Sequence, residues 1–448
     1  MSKNSHLPIC DAEADAAFAA LARFDHVVLA VSGGPDSLAL MVLAAEWRAR
    51  SPNSKPFLSV ATVDHGLRPG SGDEADAVGA EARRRGLSHV TLIWDGPKPA
   101  SGLPMAAREA RYRLLEDHAC AAGADRIAIV TAHHRDDQAE TFAMRLARGA
   151  GIDGLAGMQA ERPLRDGSPV MLVRPFLAFP KSRLVATLHA RGIRYAEDPT
   201  NSDHRYERPR VRSLLAALDA AGLTPEAIAV SARRLNNARE ALAYAEKQFV
   251  ATLDLSFGNE VFARFDRQAF EAGPAFLRQK TIARLIDRYG GASPPPQLAE
   301  AEDLVARMQR DGGTTATLGG TMISCGPRFV RVWREVGRLD HAEHVLASGE
   351  TKIWDHRFAL RFSADEREAD GGARVTVKPL GEKGYGAISS WLQPGRRPPT
   401  RAAFALPSFW SGDLLLAAPS LAPFVRLGAP WLDPNGCDLN PLATSTGI

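Results

Sequence analysis

The sequence predicts an α/β fold: a Rossmann-like parallel sheet in the N-terminal domain, followed by a helical domain and a small mixed or β-rich C-terminal domain. Between residues 25 and 215, short β-branched segments alternate with Ala-, Leu- and Arg-rich segments of helical periodicity, which is typical of a parallel sheet covered by helices. This alternation stops near residue 216, and a helical pattern continues to about residue 310. From residue 314 onward, short strand-like segments are separated by Gly and Pro turns. The predicted domains are therefore 1–216, 217–312 and 313–448.

The N-terminal alternation predicts strands that are short, buried and bounded by turn residues. They are DHVVLAV (25–31), PFLSVATVDH (56–65), HVTLIWD (89–95), RIAIVTAHH (126–134) and VMLVRPF (170–176). Helices are predicted between them, around 36–49, 73–86, 104–122 and 136–148. Because ligands of such a sheet collect at the carboxyl ends of its strands, functional side chains are expected there.

The remaining elements are less regular. A helix is predicted to begin with Thr224 as N-cap and Pro225 at its first position. GGASPPPQ (290–297) interrupts the helical pattern that follows. The C-terminal strand-like segments are TATLGGTMIS (315–324), FVRVWRE (329–335), FALRFS (358–363), ARVTVKPL (373–380) and LLLAAPSL (414–421).

Composition and charge restrict the class of protein. Of the 448 residues, 45% are hydrophobic and 24% are charged, and the net charge is only +3, so nucleic-acid binding would depend on local basic patches. Cys10, Cys120, Cys325 and Cys437 are too far apart for a zinc-ligand spacing. Apolar stretches stay well short of the roughly 20 residues of a membrane span. We predict a reduced, cytoplasmic enzyme without structural metal or membrane contact. Its oligomeric state stays open, with a homodimer as one option.

A glycine-rich turn follows the first strand. Backbone N–H groups at two successive glycines, hydroxyl donors on both sides and the start of a helix form an anion site. Asp36 adds a negative charge, which is useful there only if a metal ion or an amine lies between it and the phosphates. The turn lacks the lysine of the common phosphate-binding loop. The loop residues are Ser32, Gly33, Gly34, Pro35, Asp36 and Ser37.

A further strand end and a predicted helix supply polar side chains. Asp64 and His65 end the second strand, where an adenosine would lie in this fold. Arg108 and Arg111, three residues apart on a predicted helix, share one face that fits a phosphate or a nucleic-acid backbone.

The segment TAHHRDDQAETFAMRLARGAG (131–151) is rich in acids and histidines. His133 and Asp136 follow the strand, and Asp137 and Glu140 share one face of the next helix. Carboxylates beside a phosphate loop suit either Mg²⁺ or an ammonium group.

The segment 195–215 is predicted to be a polar loop that combines arginines with an aromatic residue, a pattern that favours RNA through phosphate contacts and base stacking. Its residues include Asn201, Arg205, Tyr206, Arg208, Arg210 and Arg212.

The string SGGPDS resembles the pyrophosphate loop of the ATP pyrophosphatases, which cleave ATP between the α- and β-phosphates and use AMP to activate an oxygen. Together with other segments in a fixed order, it resembles the tRNA(Ile)-lysidine synthase family over about residues 20–215. These segments are SGGPDS, VDHGLR, AREARYRLL, TAHHRDDQAETFAMRLARGAG, VRPFL and EDPTNSDHRYERPRVR. The fourth and the last are the most specific.

The resemblance implies a two-step reaction that uses ATP and Mg²⁺. ATP adenylates the C2 oxygen of the wobble cytidine of an isoleucine tRNA with a CAU anticodon, and pyrophosphate leaves. The ε-amine of lysine then attacks C2, and AMP leaves. The product, lysidine, pairs with A instead of G.

The resemblance also implies roles for residues. Asp137 and Glu140 are candidates to orient the lysine amine, and Asp36 and Asp137 to hold Mg²⁺. The expected catalytic residues are Asp36, Arg111, Asp137 and Glu140. The expected ATP-binding residues are Ser32, Gly33, Gly34, Pro35, Asp36, Ser37, Asp64, His65 and His133. The expected tRNA-binding residues are Arg108, Asn201, Arg205, Tyr206, Arg208 and Arg212. The family usually has an acid shortly before A-R-x-x-R-Y, where this chain has Leu103, Pro104 and Met105.

Three other functions are alternatives. A tRNA thiolase needs reactive cysteines or an iron–sulfur cluster, whereas Cys120 lies in a predicted Ala-rich helix, where an inert core thiol is expected rather than a nucleophile. An amidotransferase-type synthetase needs an ammonia source, and no glutaminase domain is evident. A non-catalytic RNA-binding protein would not need Asp36, Asp137 and Glu140.

Overall fold

The chain divides into two compact units, Met1–Glu240 and Ala241–Ile448. The structure is a computed structural model. It describes residues 6–50, 56–67, 70–99, 101–165, 167–196, 207–291, 298–310, 315–339, 343–363, 374–426, 429 and 437–441.

A six-stranded sheet organises the first unit. Its strands are β1 (His26–Ala30), β2 (Phe57–Asp64), β3 (Ser88–Ile93), β4 (Ile127–Val130), β5 (Glu161–Pro163) and β6 (Val170–Val173). They lie in the order β3-β2-β1-β4-β6-β5, and all neighbours are parallel except β5 with β6. The central strands β1 and β4 are almost wholly buried, as expected for Val- and Ile-rich strands covered on both faces. This confirms the predicted parallel sheet. The short edge strand β5, which ends in Pro163, was not predicted.

Helices cover both faces of this sheet. On one face, Phe18, Leu40 and Leu184 belong to a single buried cluster, and on the other Leu115 packs in a cluster with Ile129. The helices up to residue 252, not all of which lie on the sheet, are α1 (Asp11–Phe18), α2 (Pro35–Ala49), α3 (Ser71–Arg84), α4 (Leu103–Ala121), α5 (Arg135–Ala147), α6 (Ile152–Leu155), α7 (Lys181–Ala190), α8 (Glu207–Ala220) and α9 (Pro225–Thr252). The four helices predicted between the strands correspond to α2, α3, α4 and α5, whereas α7 was not predicted.

The second unit begins with a mixed helix and sheet layer. It contains α10 (Arg267–Ala272), α11 (Ala275–Gly290), α12 (Leu298–Arg310), β7 (Ala263–Asp266), β8 (Thr315–Leu318), β9 (Thr321–Cys325) and β10 (Phe329–Arg334). The sheet order is β7-β10-β9-β8, and Phe265, Leu285 and Ile323 share its core. The predicted helical pattern is wrong at β7, because this strand forms by antiparallel pairing with the distant β10, which local periodicity does not reveal.

The C-terminal part is rich in strands, as predicted. Its elements are β11 (His344–Ala347), β12 (Thr351–Trp354), β13 (Phe358–Phe362), β14 (Arg374–Pro379), α13 (Gly381–Ser389), α14 (Thr400–Phe404), β15 (Pro407–Ser411), β16 (Leu414–Ala417) and β17 (Cys437–Pro441). They form two antiparallel sheets, β11-β14-β15-β16 and β12-β13-β17. Asp355, in the turn after β12, is nearly buried and accepts hydrogen bonds from both Arg334 and Arg357.

No single helix in the described part of the chain is long and apolar enough to cross a membrane; α8 and α9 pass such a test only as a pair bent by 103°.

Candidate active site

The glycine-rich loop joins β1 to α2 in a shape that its own side chains hold. Gly33 has φ of +85°, a left-handed conformation that favours glycine. The Ser37 hydroxyl accepts a hydrogen bond from the Ser32 N–H (3.1 Å) and donates one to the Gly34 carbonyl (3.0 Å). From a later segment, the Ala196 N–H donates to the Gly33 carbonyl (3.3 Å). The loop is therefore preorganised at the carboxyl end of β1.

Asp36 lies in the first turn of α2, facing two cationic side chains. Its Oδ2 atom is 3.6 Å from His134 Nε2 and 3.7 Å from Lys181 Nζ. Its Oδ1 atom is buried and has no hydrogen-bond partner. A buried, unpartnered carboxylate oxygen is unfavourable unless a ligand supplies a cation or a donor.

His134 is the centre of the acidic cluster at the start of α5. The imidazole is 3% exposed, with Nδ1 3.4 Å from Asp136 Oδ2 and Nε2 3.4 Å from Asp137 Oδ2. Burial alone would lower the pKa of His134. The nearby carboxylates of Asp136, Asp36 and Asp137 outweigh burial and raise this pKa to about 10. At neutral pH, a buried imidazolium therefore lies among three carboxylates.

Glu140, one turn further along α5, is paired with an arginine of α8. Arg212 binds its carboxylate through both Nε and Nη2, the second contact being 3.3 Å. The Glu140 side chain is 3% exposed and that of Arg212 is 37% exposed. The negative charges of Asp137 and Asp36 also help to raise the pKa of Arg212, against the lowering effect of burial. Arg212, predicted to contact tRNA, is here held on Glu140.

The described residues contain no group of three or more His, Cys, Asp or Glu side chains arranged to hold a metal ion.

His133 differs from its neighbour His134 in charge. Its Nδ1 atom is 2.8 Å from the Thr131 hydroxyl. Burial, followed by the positive charges of Arg174 and Arg108, lowers the pKa of His133 to about 3. His133 is therefore a neutral imidazole beside a charged one.

The end of β2 holds the second predicted nucleotide contact. Asp64 Oδ1 accepts a hydrogen bond from the Gly66 N–H (2.8 Å), and this bond is the main cause that lowers the pKa of Asp64. His65 Nε2 is 3.3 Å from Arg111 Nη2, and its ring packs edge-on against Trp94. Burial and Arg111 both lower the pKa of His65, so the neutral ring accepts from Arg111. The structure thus joins two residues that were predicted separately.

Arginines are concentrated beside this site. Burial and the charge of Arg108 lower the pKa of Arg145, and burial, with the charges of Arg162 and Arg108, lowers that of Arg174 to about 10. Arg145 donates to the Gly154 carbonyl and Arg174 to the Gln159 carbonyl, so both are fixed by neutral groups. Mutually repelling cations of this kind favour a polyanionic ligand.

The remaining predicted residues are only partly described. The loop predicted over 195–215 is wrong from Glu207 onward, where α8 begins. Arg208 lies in the first turn of this helix and lowers the pKa of His133, while Pro35 is the first residue of α2. Asn201, Arg205 and Tyr206 lie outside the described residues.

Sequence reasoning missed three residues of the site. His134 had a signal, since it directly precedes α5 and lies at a strand end. Arg174 follows β6 and so also lies at a carboxyl end of the sheet. Lys181 had no local signal, because only the fold brings the start of α7 to the glycine loop.

The chain matches a known domain family and individual relatives in sequence. The PP-loop domain family matches residues 10–218. The tRNA(Ile)-lysidine synthase of Bradyrhizobium sp. strain BTAi1 is 47% identical over 348 residues, which cover 73% of this chain and 95% of that protein. The tRNA(Ile)-lysidine synthase of Ruegeria pomeroyi is 38% identical over 391 residues, which cover 87% of each.

Among solved structures, the U34-tRNA thiolase NcsA from Methanococcus maripaludis with its 4Fe-4S cluster is 19% identical, with a TM-score of 0.43 over 51% of this chain and 78% of that chain. The assignment of family depends on the sequence relatives, whose alignments span most of both chains. At 47% and 38% identity they confirm the predicted resemblance, and this chain belongs to the tRNA(Ile)-lysidine synthase family.

Proposed function

We propose that this chain ligates lysine to C2 of the wobble cytidine of the CAU-anticodon isoleucine tRNA, forming lysidine, with ATP converted to AMP and pyrophosphate. The observation that supports this most directly is the juxtaposition of a preorganised glycine loop with the cluster of Asp36, His134 and Asp137. A phosphate site and carboxylates at one end of a parallel sheet match a reaction that joins a nucleotide to an amine.

In the first step, the C2 oxygen of the cytidine attacks the α-phosphorus of ATP and pyrophosphate leaves. The N–H groups of Gly33 and Gly34 and the start of α2 would bind the departing phosphates. His65 and Arg111, held together at the end of β2, would lie beside the adenosine end of the nucleotide. The hydrogen bonds of Ser37 hold the loop in shape without ATP, so little reorganisation would be needed during the reaction.

Mg²⁺ fits the carboxylates that this site offers. The buried Oδ1 atom of Asp36 has no hydrogen-bond partner in the protein, and Asp36 and Asp137 both approach the same Nε2 atom of His134, at 3.6 Å and 3.4 Å. Asp36 and Asp137 would hold the ion through hard oxygen ligands, and the ion would offset phosphate charge.

In the second step, the lysine ε-amine attacks C2, the bond from C2 to the adenylated oxygen breaks, and AMP leaves. The amine must attack in its neutral form, so a carboxylate that orients it and accepts its proton assists the reaction. Asp137 and Glu140 are the candidates. Because Arg212 holds Glu140 in one orientation, Glu140 would act as a preorganised acceptor.

The arginines beside the site and the rest of the chain would bind the tRNA. Arg108, Arg174 and Arg208 lie close enough to His133 to lower its pKa, which puts positive charge at the edge of the site. We assign catalysis to 1–216 and selection of the tRNA to 217–312 and 313–448. The nucleotide motifs all precede residue 216.

The experiment uses purified protein, Mg²⁺, ATP, labelled lysine and unmodified isoleucine tRNA with a CAU anticodon. Label is expected on the wobble cytidine, with one pyrophosphate released for each lysine incorporated and no need for glutamine or a sulfur donor. A methionine tRNA is the control substrate and should take up little label. Absence of lysine from the tRNA would reject the proposal.

The thiolase alternative is less well supported. All four cysteines are free. Cys120 is exposed, so the expectation of a core thiol was wrong. It lies in the last turn of α4, however, and a helix that crosses between parallel strands ends at the opposite edge of the sheet from the glycine loop. Cys325 and Cys437 are buried in the second unit.

A further inference from the structure

We propose that Lys181 binds the β- and γ-phosphates of ATP, and so supplies from α7 the cation that the glycine loop lacks. This inference rests on the proposed function, since it concerns the phosphates that leave in the first step. The observation is that Lys181 Nζ lies 3.7 Å from Oδ2 of Asp36, which is a residue of the loop that would hold the phosphates. Nearly 150 residues of chain separate the two, so no local motif contains the pair.

The backbone of Lys181 is fixed to the site from two sides. Its N–H donates to Asp136 Oδ2 (2.8 Å), and the Arg135 N–H donates to the Phe179 carbonyl (2.9 Å), so the start of α7 is tied to the start of α5. On its other side, α7 is held through Arg183, which binds the N-terminal segment. These contacts place the lysine stem beside the loop in a defined position.

The side chain of Lys181, by contrast, is free to reorient. It is 44% exposed, and its distance from Asp36 exceeds that of a hydrogen bond. A lysine ammonium is a compact charge on a flexible stem, which is how the lysine of the common phosphate loop reaches its phosphates. His134, which is 3% exposed and held among carboxylates, has no such freedom. Lys181 is therefore the cation of this cluster that is able to follow a ligand.

Charge favours the same assignment. Lys181 Nζ lies beside the carboxylate of Asp36, whose other oxygen, Oδ1, is buried without a hydrogen-bond partner. The phosphates of ATP add further negative charge, and charge builds on the departing pyrophosphate as its bond to the α-phosphorus breaks. A cation that moves from Asp36 to the phosphates stabilises this charge.

The test compares Lys181→Met with Lys181→Arg and with Arg126→Met as a matched control. Arg126 is an exposed cation that pairs with Asp25 just before β4, at the opposite edge of the sheet, so its loss removes one charge without touching the site. Affinities for ATP, pyrophosphate and AMP are measured by calorimetry in the full chain. AMP has no β- or γ-phosphate and therefore reports on the rest of the site.

Lys181→Met is expected to weaken the binding of ATP and pyrophosphate about tenfold or more, which is the effect of losing one charge-assisted hydrogen bond. The affinity for AMP should be unchanged. Lys181→Arg should retain most of the ATP affinity, and Arg126→Met should match the wild type. Unchanged ATP affinity, or equal weakening of ATP and AMP, would overturn the proposal, the second result meaning that Lys181 only supports the fold around Asp36. If lysine incorporation failed while these affinities changed as expected, the proposed function would fall and the phosphate contact would stand.

Discussion

Removal of the Arg212 side chain should destabilise the first unit more than removal of the Glu140 charge. Glu140 is 3% exposed and Arg212 is 37% exposed, so Arg212→Met leaves a carboxylate shielded from water, whereas Glu140→Gln leaves a guanidinium that reaches solvent. Removing one partner of a buried ion pair costs about 3–5 kcal/mol. Because Arg212 is partly exposed, Arg212→Met is expected to lower the free energy of unfolding by about 3 kcal/mol, the lower end of that range. Glu140→Gln keeps an acceptor for Arg212 and should cost about 1 kcal/mol.

Two measurements test this expectation. Amide hydrogen exchange in α5 and α8 gives the local free energy of opening, and urea unfolding gives the free energy of unfolding of the whole chain. The double variant Arg212→Met/Glu140→Gln should be more stable than Arg212→Met alone, because it no longer contains an unpaired buried charge. If Glu140→Gln proved the more damaging change, or if the two effects simply added, the reasoning about the buried carboxylate would be wrong.

The same variants separate stability from catalysis. If Glu140 binds the lysine amine through its charge, Glu140→Gln should lower lysine incorporation about 10- to 150-fold, corresponding to 1.5–3 kcal/mol, and leave pyrophosphate release nearly unchanged. A parallel fall in both rates would place Glu140 in the first step or in the fold instead.

Other expectations concern separate parts of the chain. Asp36→Ala should abolish pyrophosphate release and leave tRNA binding intact, as measured by release and filter-binding assays. Arg205→Ala should weaken tRNA more than ATP and lower the magnitude of the salt slope by about 1. Glu13 has a pKa of about 2 because Arg183 binds it. Its stabilisation should be complete above pH 4.5, the pKa of an unpaired glutamate, and be lost as pH falls toward 2, a dependence that Glu13→Gln should remove from acid unfolding curves.

The sheet and the loop were predictable because their signals are local. β1, β2, β3, β4 and β6 are short apolar runs, and SGGPDS is a contiguous string. Acidic residues near the loop were also predictable, since the carboxyl ends of parallel strands meet at one edge.

The charges within the site were not predictable from the same strings. His133 and His134 are adjacent in sequence, yet one has a pKa near 3 and the other near 10, because one faces arginines and the other carboxylates. Likewise, Arg212 belongs to a basic segment that suggested RNA contacts, but the packing of α8 on α5 brings it to Glu140. Side-chain partners of this kind depend on tertiary contacts that periodicity and motifs do not contain.

The bond of ATP that the proposed reaction breaks explains why the glycine-rich loop has no lysine. In a loop that holds ATP for transfer of its γ-phosphate, a lysine beside the β- and γ-phosphates stays in place throughout the reaction. In the proposed reaction the attack is at the α-phosphorus, and both outer phosphates must leave. Asp36 occupies the first turn of α2, where it would repel them unless cations intervene, and the side chains that face it are those of His134, just before α5, and Lys181, at the start of α7. If the positive charge comes from these other segments, as we propose, the loop can contain a carboxylate for Mg²⁺, while Lys181 follows the pyrophosphate as it departs.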